Sequence, residues 1–221
     1  MIKDLAAIFA CIITAYFVAI AATVEGLLLY GAPIILLCAV VSFVVHWIIA
    51  VPSVLAGSEK YFDLTGMIAT LLVVFTAMFA LLNSGQQGSI RSTIVAIFVS
   101  VWSLRLGTFL YKRIVKSGED ARFREIKNSL PKFLMVWTLS ALWVFLTTVN
   151  AITIIALNSQ EPLGLFFLIG ATLWVLGFAF EAVADRQKKS FAELAENKDK
   201  FITPVSYTHL RAHETDSYIV C

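Results

Sequence analysis

Six long apolar runs dominate this sequence and constrain its fold more than any other feature. Each has about 20 residues, which is the length a helix needs to cross the hydrocarbon core of a bilayer. The runs cover residues 5–24, 34–55, 64–82, 90–111, 133–157 and 163–180. Turn-forming residues such as glycine, proline, serine and asparagine separate most of them. The sequence therefore predicts an all-α, polytopic membrane helix bundle with six transmembrane helices.

The composition excludes the main alternatives to a membrane protein. Hydrophobic residues make up 59% of the chain and charged residues only 14%, with a mean hydropathy of +0.85. Soluble domains are about 45–50% apolar and about 25% charged. A net charge of +2 is too small to indicate nucleic-acid binding, and the apolar content excludes disorder. We expect the lipid bilayer, and no nucleic acid, as a partner.

The distribution of positive charge predicts the orientation of the helices. With six crossings, fourteen of the 17 lysines and arginines lie in segments on one side, and Arg91 alone lies on the other. Cytoplasmic segments carry such an excess of positive charge. We expect both termini to be cytoplasmic, in an endoplasmic-reticulum membrane or a bacterial inner membrane.

Polar residues inside the second span form one candidate site. Ser42, His46 and Ser53 recur at helical spacing, so they share a face that must meet protein or a wet cavity. His46 has two interpretations. It is either a proton donor or hydrogen-bond anchor for a ligand carbonyl, or a neutral histidine bonded to a neighbouring helix.

Arginines near the end of the fourth span form a second candidate site. Arg105 lies inside the span, Arg113 follows eight residues later, and Arg122 and Arg124 lie in the next loop. Several guanidinium groups at one helix end suit bidentate phosphate binding. The alternatives are snorkelling of Arg105 and a belt of lipid-headgroup contacts.

Carboxylates at the end of the sixth span form a third candidate site. Glu181 and Asp185 share a helical stripe with Gly170, Trp174 and Gly177, and the glycines allow close approach of a helix or ligand. The pair predicts a donor-rich partner such as ribose hydroxyls or Arg105. The alternative for Asp185 is solvation at a helix end. An amphipathic interfacial helix is predicted after Asp185.

Familiar cofactor motifs are missing. The sequence has no glycine-rich phosphate loop, no cysteine and histidine spacing for zinc and no Gly-x-Ser-x-Gly motif. We therefore expect neither a soluble Rossmann-type site nor a metal site.

Ordered motifs run from about Trp47 to Thr203. They include YFDLTG at 61–66, LRLGTFLYKR at 104–113, GEDARF at 118–123 and EAVADRQK at 181–188. Together they resemble the largely uncharacterised branch of the steroid 5α-reductase family. The resemblance implies a bundle of about seven helices, NADPH bound from the cytoplasmic side, and reduction of an activated carbon–carbon double bond in a lipophilic small molecule.

The resemblance also implies roles for individual residues. Arg105, Arg113, Asp120 and Arg122 match the family's basic, cofactor-contacting region. Glu181 and Asp185 occupy the polar pair that contacts the nicotinamide nucleotide in the steroid reductases.

Two departures from the family pattern shape the expectations. The family's span-two acid, which polarises the enone carbonyl, has no counterpart, so His46 and Tyr61 are the candidate catalytic donors. After Thr203 the family continues to a last helix, whereas residues 204–221 resemble translated adapter or cloning sequence. Residues 1–203 are therefore predicted to be an incomplete reductase-like domain, and we expect the chain as it stands to bind NADPH weakly or not at all.

Three functions remain open at this point. The first is an integral-membrane, NADPH-dependent reductase of an activated C=C bond in a steroid-like or other lipophilic substrate. The second is an S-adenosylmethionine-dependent membrane methyltransferase of the isoprenylcysteine type. The third is a non-catalytic membrane protein.

Overall fold

The computed structural model describes residues 1–23, 27–120 and 123–193. It divides the chain into two compact units, Met1–Glu161 and Pro162–Cys221. Six helices in the described ranges are long and apolar enough to cross a membrane, which confirms the predicted all-α bundle with six candidate spans. The protein is a helical, multi-pass membrane protein by these criteria.

The first unit contains five long helices and a very short hairpin. The helices are α1 (Ile2–Ala21), α2 (Ile34–Leu55), α3 (Phe62–Asn83), α4 (Ile90–Ser117) and α5 (Leu130–Leu157). Strands β1 (Leu28–Leu29) and β2 (Ala32–Pro33) pair antiparallel, and a short 3-10 helix covers Ile126–Asn128. Among its described residues, the second unit contributes α6 (Leu165–Glu193).

The hairpin forms because its turn residues accept positive φ angles. Tyr30 has φ of 51° and Gly31 has φ of 81°. Two consecutive left-handed residues match the twist of the flanking strands in a two-residue hairpin loop. The turn therefore brings the chain directly from β1 into β2 and the start of α2.

Two helices continue well past the apolar runs that predict their spans. α4 continues from residue 111 to Ser117, and α6 continues from residue 180 to Glu193. The predicted ends mark where the apolar runs stop, but nothing in residues 112–117 breaks a helix. α4 ends only at Gly118, which has φ of 82°. α6 runs unbroken through Asp185 to Glu193, so the predicted amphipathic interfacial segment is continuous with the sixth span as far as the structure describes it.

α5 is the central helix of the first unit, since it packs against α1, α2, α3 and α4. Its contact with α2 is partly polar. The Ser42 hydroxyl donates to the carbonyl of Ala141 at 2.8 Å, and the Trp47 indole N–H donates to the Thr138 hydroxyl at 3.0 Å. These bonds satisfy side chains that lipid could not satisfy.

The side chain of Asn158, directly after α5, bonds to the connection between α3 and α4. Its Oδ1 accepts from the backbone N–H of Ser89 at 2.8 Å, and its Nδ2 donates to the carbonyl of Gln87 at 3.0 Å and to Oε1 of Gln86 at 3.2 Å. Asn158 is also left-handed, with φ of 44°. One side chain therefore fixes the connection between α3 and α4 against the end of α5.

Asn158→Ala is expected to lower the free energy of unfolding by about 2 kcal/mol, because buried partners lose their bonds and alanine resists a positive φ. Asn158→Gly is the matched control, since glycine accepts this φ without the bonds. The loss of unfolding free energy in Asn158→Gly is expected to be about 1 kcal/mol smaller than in Asn158→Ala. The midpoint of thermal unfolding in detergent measures both, and equal stability of Asn158→Ala and wild type would contradict the prediction.

Candidate functional site

The polar stripe of α2 is enclosed by protein. Ser42 and His46 are fully buried, and Ser53 is nearly so. His46 Nδ1 lies 2.8 Å from the carbonyl of Ser42, and its Nε2 lies 3.1 Å from the hydroxyl of Ser140 on α5. Because a carbonyl only accepts, Nδ1 carries the proton in the neutral ring and Nε2 accepts from Ser140. His46 is thus bonded to a neighbouring helix, and its catalytic role stays a prediction.

An aromatic cluster lies next to His46. We call Phe62, Phe123, Phe133 and Trp137 the aromatic cluster. Edge-to-face pairs join them, with ring centroids 4.9 to 6.1 Å apart, and the Trp137 and His46 rings lie 6.5 Å apart. Within the described ranges, the buried indole N–H of Trp137 has no hydrogen-bond acceptor. The cluster therefore packs Phe123 against α3 and α5 through apolar contacts.

Phe123 belongs to the loop between α4 and α5, residues 118–129, which we call the α4–α5 loop. Glu59, in the connection between α2 and α3, holds the same loop by polar bonds. Its Oε1 accepts from the backbone N–H of Asp120 at 2.9 Å, and its Oε2 lies 3.3 Å from Nζ of Lys127. Glu59 is 6% exposed, so its carboxylate is largely shielded from water. Asp120 and Lys127 are therefore held by polar contacts and Phe123 by an apolar contact.

Tyr61 lies close to the end of α4. Its ring stacks on that of Tyr111 with centroids 6.3 Å apart and planes 19° apart, and Nζ of Lys60 lies 5.8 Å from the Tyr61 centroid. Tyr61 is 45% exposed, so unlike His46 it is open to the surroundings of the bundle. The structure therefore brings one predicted donor beside the helix that carries the predicted arginines.

Arg105 and Arg113 both lie on α4, about 12 Å apart along its axis at 1.5 Å per residue. Arg105 is half-buried and Arg113 is exposed. Asp120 is half-buried and held through its backbone by Glu59. Arg122 lies outside the described residues.

The exposed part of the α4–α5 loop carries one ion pair between Glu119 and Arg124. The distance from Nη2 of Arg124 to Oε1 of Glu119 is 2.5 Å. The hydrogen bond from Arg124, followed by its charge, lowers the pKa of Glu119, and the same bond raises the pKa of Arg124. Such exposed pairs contribute little to stability. Arg124 is therefore occupied by a neighbouring carboxylate in this structure.

Glu181 and Asp185 lie in the second unit, four residues apart on α6. That spacing puts both carboxyl groups on one face of the helix, as the sequence predicted. Their relation to the arginines of α4 stays a prediction. The predicted non-native segment, residues 204–221, lies outside the described residues.

Sequence reasoning missed Glu59, Phe123 and Trp137. Glu59 appears in the sequence as an ordinary turn residue, and nothing near it indicates a partner 61 residues away. The available signals were the motif 118–123, which ends at Phe123, and the pair Val136–Trp137, which also belongs to the resemblance. In the ranges 1–23, 27–120 and 123–193, no three His, Cys, Asp or Glu residues are grouped so that they could hold a metal ion.

The helices define a multi-pass membrane protein. Glu59 and its contacts to the α4–α5 loop form an ordered polar region in its first unit. The chain belongs to the family described as protein of unknown function, DUF1295, whose model matches residues 46–208. No curated protein and no solved structure matches the chain. The family match begins at His46 and covers every predicted site residue.

Proposed function

We propose that this protein is an integral-membrane, NADPH-dependent reductase of an activated C=C bond in a steroid-like or other lipophilic substrate. The observation that carries the proposal is the stacking of Tyr61 on Tyr111, 6.3 Å apart. Tyr111 lies two residues before Arg113, within the motif 104–113. A hydroxyl donor and a cationic helix end therefore occur side by side; the donor would stabilise an enolate oxygen, and the cations would bind the phosphates of the nucleotide.

The hydroxyl donor would stabilise the charge that develops on the substrate. When hydride adds to the β-carbon of an enone, negative charge develops on the carbonyl oxygen, and a nearby O–H stabilises it. Tyr61 is the better candidate because its side chain is partly exposed, whereas His46 is fully buried and both its ring nitrogens have partners. A lipophilic substrate would approach it from the bilayer.

The cationic groups supply the nucleotide-binding half. Arg105 and Arg113 would hold the pyrophosphate and the 2′-phosphate of NADPH, since guanidinium groups bind phosphate bidentately. Asp120 and Arg122 would flank them from the α4–α5 loop. Glu181 and Asp185 would accept hydrogen bonds from the nicotinamide nucleotide.

The proposal is tested by the thermal shift that NADPH causes in the purified protein. Because residues 204–221 are predicted to be non-native, the test uses both the 221-residue chain and the uninterrupted reading frame recovered from the source DNA. NADPH is expected to stabilise the uninterrupted chain, and Arg105→Ala or Arg113→Ala to raise its apparent Kd at least about 10-fold, the effect of losing a charge-assisted bond.

Arg91→Ala is the matched control, because Arg91 lies on the same helix at its opposite end. It is expected to leave the Kd for NADPH unchanged. Stabilisation by S-adenosylmethionine but not NADPH would replace the proposal with the methyltransferase. Stabilisation by neither in the uninterrupted chain would indicate a non-catalytic membrane protein.

A further inference from the structure

We infer that Glu59 is a positioning residue, which holds the α4–α5 loop in the conformation that binds the phosphate-bearing ligand. The inference rests on the proposed function, since the ligand is NADPH. Glu59 itself touches no ligand in this account. It acts through Asp120 and Lys127, which lie near the two ends of the same loop.

The carboxylate of Glu59 contacts the α4–α5 loop near both of its ends. One carboxylate oxygen accepts from the backbone of Asp120 at 2.9 Å, and the other meets Lys127 at 3.3 Å. These two loop residues are seven positions apart, so a single side chain holds both of them against the connection between α2 and α3. Fixing them in advance removes an entropic cost that ligand binding would otherwise carry.

Burial makes this contact difficult to replace. Glu59 is 6% exposed, so its charge requires the lysine, and the Asp120 N–H requires the carboxylate. Lys127 is 24% exposed and its charge is neutralised by Glu59.

The apolar contact comes from the same stretch of chain. Phe62, three residues after Glu59, packs its ring against Phe123 with centroids 4.9 Å apart. Phe123 is 4% exposed. The connection between α2 and α3 thus supplies the polar contact through Glu59, and the first residue of α3, Phe62, supplies the apolar contact. Tyr61 lies between these two residues in the chain.

The first test measures hydrogen exchange in the segment 112–132 of the full chain. Glu59→Leu removes both polar bonds and is expected to speed exchange at the Asp120 N–H at least 10-fold. Glu59→Gln keeps an acceptor for that N–H but removes the charge, so an intermediate rate is expected. Glu125→Leu is the matched control, because Glu125 is an exposed acid in the same loop. Equal exchange in Glu59→Leu and Glu125→Leu would overturn the inference.

The second test separates positioning from general stability. Glu59→Gln is expected to raise the apparent Kd for NADPH about 10-fold, with kcat at saturating NADPH within about 2-fold of wild type, using progesterone as the enone probe. An unchanged Kd, or losses in kcat alone, would overturn the positioning role. If the wild-type, uninterrupted chain binds no NADPH, the proposed function fails, and the exchange rates still decide whether Glu59 holds the loop.

Discussion

Gly107→Ala is expected to lower the free energy of unfolding by about 3 kcal/mol, the upper part of the usual range for overpacking. A Cβ at this position of α4 would lie 2.4 Å from Cβ of Met67 on α3. Because that contact joins two atoms next to the backbone, no rotamer change relieves it. The helices must separate. The midpoint of thermal unfolding in detergent measures the loss.

Two variants test the cause of this loss. Gly66→Ala is the control on α3, where the nearest atom to an added Cβ is 4.0 Å away, and it is expected to be neutral or stabilising. Met67→Gly combined with Gly107→Ala removes the clashing atoms, so the double variant is expected to recover part of the loss in a double-mutant cycle. Wild-type stability of Gly107→Ala alone would show that the helices do not approach this closely.

His46→Ala is expected to have a similar effect, about 3 kcal/mol, because it leaves a cavity beside Trp137 and removes the bond to Ser140. The ring is fully buried, and its Nε2 lies 3.1 Å from the Ser140 hydroxyl. Ser140→Ala keeps the ring and removes only the bond, so about 1 kcal/mol is expected. Thermal unfolding again provides the measurement.

The turnover of two other variants, His46→Gln and Tyr61→Phe, separates the two interpretations of His46. His46→Gln is expected to reduce progesterone reduction by no more than a few fold, whereas Tyr61→Phe, which keeps the stacking on Tyr111, is expected to reduce it about 100-fold. The reverse result would make His46 the donor. It would require the Ser140 bond to break during the reaction.

The spans were predictable because bilayer thickness and hydropathy act on each segment separately. α2 has the predicted limits, 34 to 55, since Pro33 precedes it and Gly57, with φ of 57°, follows it closely. The end of α4 was not predictable from hydropathy. The helix continues past the apolar run until Gly118 stops it, so span and helix are different lengths.

The contacts of the candidate site were less predictable from the sequence. Hydropathy indicates that His46 needs a partner but does not identify Ser140, 94 residues away. The motif 104–113 contains Gly107, yet only the packing of α3 on α4 shows why a side chain does not fit there. Glu59 gave no signal, because its importance depends on a loop that is distant in sequence and close in space.

The polar bonds between α2 and α5 have a consequence for biosynthesis. Ser42, His46 and Trp47 bond to α5 residues that are 91 to 99 positions later in the chain. At roughly 5–20 residues per second, the ribosome delivers α2 about 5–20 seconds before those partners exist. During this interval the Ser42 hydroxyl, Nε2 of His46 and the Trp47 indole N–H lack the α5 partners that bond to them in the folded protein. The order of translation therefore leaves the nascent chain exposed to misassembly until its fifth helix arrives.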